Sequence, residues 1–241
     1  MVTLTIDGRE IQAEEGKVIL EIARENDIYI PSLCYHEEVT SYGACRLCLV
    51  EITSRGRKRL VTSCLYPVEE GLVVETATPK VNSVRQMVMK LLLARCPDSG
   101  VVQDLAHRLG VDKTDFELEE GNYKCVLCGL CARVCEEIVG VSAISLVNRG
   151  VNRQVATPFY AFSEACIGCG SCAYVCPTGA IGVKDVRDTR IITMPHVTMK
   201  FKLKRCRTCG GYWAPERQLE YVAKAAGLAA DAFDNCPDCR D

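Results

Sequence analysis

The sequence predicts an α+β chain built from several small units, each closed around cysteines. Two observations carry this. Alternating apolar and polar segments near the N-terminus give way, after residue 79, to helical periodicity. Sixteen of the seventeen cysteines also fall into four sets of four: Cys34, Cys45, Cys48 and Cys64; Cys125, Cys128, Cys131 and Cys135; Cys166, Cys169, Cys172 and Cys176; Cys206, Cys209, Cys236 and Cys239. Each set lies in a stretch of roughly 40–80 residues, a size at which an apolar core alone is marginal and bound metal completes the fold.

The elements follow in order. Residues 2–6 and 9–13 alternate around Asp7-Gly8 and predict a β-hairpin. Val18, Ile19, Ile22 and Ala23 mark one face of a short helix, closed by Pro31 on the way to Cys34. Residues 48–54 and 59–64 are strand-like around the turn Ser54-Arg55-Gly56, and residues 72–76 supply a last strand. Strands around one helix, with a cysteine loop behind it, predict a β-grasp ferredoxin domain over residues 1–78.

Val84, Met87, Val88, Leu91 and Leu92 then predict a helix with that apolar face, and a second helix is expected near Val102 to Leu109. Residues 79–118 thus form a helical bridge before a two-cluster ferredoxin domain over residues 119–199. The 30 residues between Cys135 and Cys166, with Ala143-Ile144-Ser145-Leu146-Val147 and Gly150, predict an inserted hairpin. A four-cysteine metal-binding tail of the zinc-ribbon kind occupies residues 200–241. Its helix starts at Pro215, carries Leu219, Val222, Ala223 and Ala226 on its apolar face, and stops at Gly227. Trp213 and Tyr221 supply its small core or a docking surface.

Composition narrows the function. With 29 basic and 31 acidic residues, the net charge of −2 gives no basic field for nucleic acid. No apolar run is long enough to span a bilayer, since Lys90 interrupts the best candidate, Val88 to Ala94. The N-terminus lacks a basic segment followed by an apolar one, so no secretory signal is expected. A disulfide framework suits short secreted chains, so the thiols indicate a reducing compartment, most simply cytoplasm.

The sets beginning at Cys125 and Cys166 are both C-x2-C-x2-C-x3-C, the latter with Pro177 behind it. Two-residue spacers let three thiolates face one iron–sulfur cube. In two-cluster ferredoxins the last cysteine of each run ligates the other cluster. This assigns Cys125, Cys128, Cys131 and Cys176 to one [4Fe–4S] cluster, and Cys166, Cys169, Cys172 and Cys135 to the other. Gly129, Gly168 and Gly170 let backbone amides approach the sulfurs, and Val126 and Ile167 supply apolar surroundings that tune the potential. The first set, Cys34-x10-Cys45-x2-Cys48-x15-Cys64, shares with the plant-type [2Fe–2S] pattern a short pair flanked by outliers, and Gly43 lets its loop wrap the cluster. The fourth set has two C-x2-C pairs 26 residues apart, a tetrahedral four-sulfur site for zinc or a single rubredoxin-type iron, with zinc favoured.

Tyr42-Gly43-Ala44-Cys45-Arg46-Leu47-Cys48-Leu49-Val50-Glu51 resembles the N-terminal region of the large iron–sulfur subunit of respiratory complex I, and the small iron–sulfur diaphorase subunit of NAD-linked hydrogenases. The stretch from Cys125 to Glu136 and Cys176-Pro177-Thr178-Gly179-Ala180-Ile181 extend the likeness over about residues 1–185. The resemblance implies electron transfer between a flavin/NAD-binding diaphorase subunit and a hydrogenase, formate dehydrogenase or quinone-reducing partner, with electron bifurcation and ferredoxin as further options.

The resembled family holds another [4Fe–4S] cluster, on one His and three Cys, between these regions. Here Cys96 fits one ligand, while Leu93 and Met89 stand at two others and the cysteine expected after Gly100 is missing. One ligand cannot hold a cube, so this cluster is expected to be absent. That leaves three ways to span the gap: the helices close it, a partner supplies a cofactor, or the [2Fe–2S] domain swings.

No nucleotide-binding glycine motif and no catalytic triad are present. His36, His107 and His196 offer no Rieske arrangement; His36 reads as a loop residue and His107 as a helix-surface residue. The sequence therefore predicts an electron-relay subunit without a catalytic site of its own. The alternatives are a freestanding polyferredoxin-like carrier and a zinc-tailed, redox-sensing binding module.

Overall fold

The computed structural model describes residues 1–121, 124–229 and 231–240. It divides into two compact units, Met1–Cys128 and Gly129–Asp241, each taken by itself.

In the first unit β1 (Val2–Ile6) and β2 (Arg9–Ala13) form the expected hairpin, with Ile6 opposite Arg9. Asp7 and Gly8 both take positive φ, 48° and 79°, as a tight turn matching strand twist demands. The Asp7 carboxylate accepts from the Thr76 amide at 2.7 Å and the Thr76 hydroxyl at 2.6 Å, tying that turn to the last strand of the sheet. Helix α1 (Ile19–Glu25) buries Ile19, Leu20, Ile22 and Ala23, and the Glu21 carboxylate accepts from the Val18 amide at its start. The helix ends at Asn26, five residues before Pro31, because the Asn26 side chain and amide take up the last carbonyls. Strands β3 (Leu49–Ser54) and β4 (Arg57–Thr62) form a second hairpin, and β5 (Val73–Glu75) pairs parallel to β1 and antiparallel to β3. The sheet order β2-β1-β5-β3-β4 over α1 is the β-grasp arrangement. Its core contains Leu4, Ile6, Leu20, Ile52 and Leu72 together with Cys48 and Cys64.

Helix α2 (Pro79–Arg95) starts on the Thr78 hydroxyl, which accepts from the Val81 amide at 3.2 Å. Its buried line is Val81, Arg85, Met89 and Leu93. The expected apolar face is therefore corrected: Met87 and Leu91 are each about half exposed. Position Arg85 explains the difference, since its guanidinium reaches the Leu49 carbonyl at 2.6 Å and turns that side of the helix toward β3. Helix α3 (Gly100–Arg108), capped by the Ser99 hydroxyl, packs against α2.

In the second unit α4 (Leu130–Arg133) runs into a π-helical turn, Val134–Ile138. The inserted hairpin is present as β6 (Ser145–Val147) and β7 (Gln154–Ala156). After α5 (Ser171–Tyr174) comes a four-stranded antiparallel sheet of β8 (Gly182–Val186), β9 (Thr189–Met194), β10 (Val197–Arg205) and β11 (Tyr212–Pro215). Strand β10 is continuous through Lys200, the residue at which the sequence places the start of the tail, and pairs with both β9 and β11. Helix α6 (Glu216–Ala226) ends on Gly227 at φ 64°. Of its expected apolar face only Leu219 is buried; Val222 and Ala226 are exposed, because a helix on the rim of so small a sheet has one row to cover.

Candidate metal centres

All seventeen cysteines are free thiols. Cys34 lies in the loop after α1, Cys45 and Cys48 bracket a tight turn leading into β3, and Cys64 follows β4. All four are buried. Their sulfurs form a chain: Cys45 and Cys64 hydrogen-bond Cys34, and Cys48 lies 3.3 Å from Cys64. The Cys45 amide donates to the Cys34 sulfur and the Leu33 amide to the Cys45 sulfur, each at 3.4 Å. Hydrogen bonding with neighbouring thiols, helped by backbone amides, holds Cys34 and Cys48 below the usual thiol range, while the same sulfur contacts and burial drive Cys45 and Cys64 up. Gly43, at φ 67°, has the Leu65 side chain 2.6 Å from where a Cβ would sit, so only glycine fits this loop without a shift. These residues fit a two-iron cluster.

In the second unit Cys135, Cys166, Cys169 and Cys172 line one apolar cavity with Ile144, Ile167, Met194 and Met199. Cys135 of the first run thus lines the same cavity as three cysteines of the second. The Ala143 amide donates to the Cys135 sulfur at 3.3 Å, and the Gly168 and Ala173 amides donate to Cys166 and Cys172. Burial still dominates, pushing Cys135 and Cys166 up and Cys172 up to about 12. An apolar pocket that penalises free thiolates favours their neutralisation by iron. Gly168 (φ 74°) has the Phe201 ring 2.6 Å from a would-be Cβ, so the loop lies directly on β10.

Helix α6 supports this cavity in a way the sequence does not suggest. The Tyr221 hydroxyl donates to the Val139 carbonyl at 3.0 Å, and Val139 lines the cavity. Arg217 pairs with Glu164 at 2.9 Å, two residues before Cys166. Tyr221 therefore braces the neighbouring cluster site instead of forming a core for the tail.

Of the remaining set, Cys125 and Cys128 belong to the first unit and Cys131 and Cys176 to the second. Cys128 and Cys131 are buried, Cys125 and Cys176 half-buried, and Val126 is buried as expected. The Cys125 carbonyl accepts from Arg95 Nε at 3.1 Å, and the Cys176 sulfur lies 3.8 Å from the Thr178 hydroxyl. Gly129 takes φ 73° at the start of α4.

Cys206, Cys209, Cys236 and Cys239 bring four sulfurs within 4.8 Å of one another, the one such group among the described residues. Cys209 and Cys236 sulfurs are 3.9 Å apart. Tetrahedral coordination at about 2.3 Å per bond needs sulfurs about 3.8 Å apart, so the group fits a single ion. Backbone amides of Cys209, Cys236 and Thr208 hold Cys206 down to about 6. Asp234 binds Lys204 at 2.9 Å and Arg207 at 3.5 Å, locking one knuckle to the other. Trp213 packs on Phe233, ring centroids 6.5 Å apart, with Arg240 over both.

Cys96 stands apart. It is buried at the end of α2, and burial pushes its thiol up to about 12. Met89 and Leu93, where ligands would stand in the resembled family, are buried apolar residues, as are Val102, Leu105 and Ala106 on α3. Cys96→Ser should therefore leave the iron content unchanged while lowering stability by about 1–3 kcal/mol, through a buried hydroxyl. Metal analysis beside thermal melting checks both parts; loss of a cube would restore a ligand role for Cys96. His107 is exposed on α3, and His36 is a loop residue whose Nδ1 accepts from the Glu38 amide. His196 stacks edge-on to Tyr160 at 5.6 Å.

Comparison with known proteins agrees with this layout. Residues 1–79 match the 2Fe-2S iron-sulfur cluster binding domain, and residues 124–180 and 165–211 match the 4Fe-4S dicluster domain. The chain is 34% identical over 211 residues to NADP-reducing hydrogenase subunit HndD of Solidesulfovibrio fructosivorans, covering 75% of this chain and 36% of that protein. It is 31% identical over 208 residues to the mitochondrial NADH-ubiquinone oxidoreductase 78 kDa subunit of Neurospora crassa, covering 76% of this chain and 28% of that protein. It thus spans about a third of the length of these relatives. A crystal structure of NAD+-reducing [NiFe]-hydrogenase in the H2-reduced state matches with a TM-score of 0.58 and 28% identity, over 65% of this chain and 74% of that one. The chain thus joins a segment that matches the 2Fe-2S cluster binding domain to one that matches the 4Fe-4S dicluster domain, and it is similar to subunits of an NADP-reducing hydrogenase and of NADH-ubiquinone oxidoreductase.

Proposed function

We propose that the chain is an electron-relay subunit of an NAD(H)-linked oxidoreductase complex of the hydrogenase or formate dehydrogenase type, working in the cytoplasm. A [2Fe–2S] cluster is held by Cys34, Cys45, Cys48 and Cys64. One [4Fe–4S] cluster is held by Cys125, Cys128, Cys131 and Cys176, and the other by Cys166, Cys169, Cys172 and Cys135. Cys206, Cys209, Cys236 and Cys239 hold a structural zinc. The partners are a flavin/NAD-binding subunit on one side and a catalytic subunit or ferredoxin on the other.

The observation that carries this reading is the apolar cavity in which Cys135 meets Cys166, Cys169 and Cys172. When bound, the clusters supply one-electron transfer. The chain's own contribution is to exclude water, with Ile144, Ile167, Met194 and Met199 around the sulfurs, and to aim backbone amides at them. Such donors and dryness tune a cluster's potential. Among the described residues no helix is long and apolar enough to cross a membrane.

Anaerobically reconstituted protein should carry about ten irons and about one zinc per chain. Six or fewer irons would remove one of the three clusters. Affinity capture of the native complex should bring down a flavoprotein. Nickel in the captured material would specify a hydrogenase, and molybdenum or tungsten a formate dehydrogenase. A chain recovered alone would refute the subunit role.

A further inference from the structure

Arg85 is a buried arginine, 4% exposed, and no ion pair includes it among the described residues. Stripping water from a guanidinium is costly unless a counter-charge replaces it. The one hydrogen bond it makes, Nη2 to the Leu49 carbonyl at 2.6 Å, goes to a neutral group directly after Cys48. Its Nε–H is buried without an acceptor. A second buried donor shares this situation. Ser63, fully buried and next to Cys64, has no oxygen or nitrogen acceptor for its hydroxyl, which is directed at the Cys48 sulfur.

Desolvation pulls the Arg85 pKa down, and the opposing attraction comes first from Cys48, then from Tyr29 and Asp7. Asp7 is already committed to Thr76. Native proteins rarely leave buried donors unsatisfied. A cluster of two ferric irons, two sulfides and four thiolates is a net dianion with sulfur acceptors on its surface, and it gains another negative charge on reduction.

We infer that the Arg85 guanidinium and the Ser63 hydroxyl are the outer partners of the [2Fe–2S] cluster, and that Arg85 raises its reduction potential by stabilising the extra electron. This rests on the assignment of that cluster to Cys34, Cys45, Cys48 and Cys64. Arg85 is a positioning residue contributed by α2, beyond the last strand of the β-grasp sheet, so the potential of the cluster is coupled to the packing of that helix. Movement of α2 by a bound partner would change the driving force for electron transfer.

The test is a redox titration of the full-length, reconstituted protein, following the [2Fe–2S] signal by electron paramagnetic resonance at a temperature where the [4Fe–4S] signals have broadened away. At the potential that half-reduces the wild-type cluster, Arg85→Gln should be reduced in about one molecule in ten, a shift of ~59 mV for one electron. Arg85→Lys, which keeps the charge, should stay within about threefold of wild type. Ser63→Ala, which removes one oxygen and leaves the packing in place, should lower the reduced fraction severalfold.

Unmoved potentials in Arg85→Gln and Ser63→Ala, with the signal intact, would overturn the inference while leaving the cluster assignment standing. Equal shifts in Arg85→Gln and Arg85→Lys would reject the role of the charge. Where Arg85→Gln fails to take up the cluster, an unmoved Ser63→Ala potential overturns the inference by itself. A wild-type protein with no [2Fe–2S] signal would instead reject the assignment on which the inference rests.

Discussion

Cys135→Ala should cost about four of the ten irons, and the cluster lost should be the one served by the other cysteine run. The physical basis is the cavity where Cys135 faces Cys166, Cys169 and Cys172, and the Ala143 amide that fixes the Cys135 sulfur at 3.3 Å. Alanine supplies no oxygen or sulfur to replace the thiolate. Double substitutions read the pairing directly. Cys135→Ala with Cys166→Ala should lose no more iron than either alone, because both remove one cluster. Cys135→Ala with Cys125→Ala should lose about eight, because they remove two. Residues acting on one unit are non-additive and residues acting on separate units add. The opposite pattern would show that each run closes its own cube. Heat stability should also fall, since Ile144, Met194 and Met199 would then face a hole in place of a cluster.

Much of this is legible in the sequence because metal-site chemistry and turn chemistry are local. The sets Cys166, Cys169, Cys172 and Cys206, Cys209 follow from spacing, and both tight hairpin turns follow from a residue–glycine pair, Asp7-Gly8 and Arg55-Gly56, at positive φ. What the sequence hides is set by tertiary packing. The most apolar stripe of α2 is not its buried one. Arg85 occupies the core-facing line, where it donates to the Leu49 carbonyl, and hydropathy treats that as an error. The four-stranded sheet is absent from the sequence expectation although Met199, Phe201 and Leu203 alternate with Lys200, Lys202 and Lys204 along β10. That strict period of two is a usable signal, masked because the cysteine knuckle at Cys206 draws the expected domain boundary to residue 200, inside the strand. Arg217 and Tyr221 are beyond reach of spacing, since their partners Glu164 and Val139 are 53 and 82 residues away.

The tail offers the second large effect. Cys206→Ala should abolish the single-ion site and unfold the knuckles around it. Apart from its strand pairing, the segment after Cys206 has little apolar core: Leu219 is the one buried residue of α6, and Trp213 is half-buried against Phe233 and Arg240. Structural zinc in such small units supplies folding free energy of about 10 kcal/mol or more. The lost ion also leaves Cys209, Cys236 and Cys239 as crowded thiols, and frees the Asp234 clasp on Lys204 and Arg207. Trp213 is the one tryptophan in the chain, so its emission reports on this site alone. It should shift to the red in Cys206→Ala, with proteolytic cuts appearing between residues 207 and 240, while one zinc per chain disappears. Because Tyr221 holds Val139 beside the cavity of Cys135, the neighbouring [4Fe–4S] cluster should become more labile to oxygen. The [2Fe–2S] signal, which belongs to the other unit, should persist. An unchanged Trp213 emission after loss of the metal would mean that the sheet of β8 to β11, not the ion, holds the tail together.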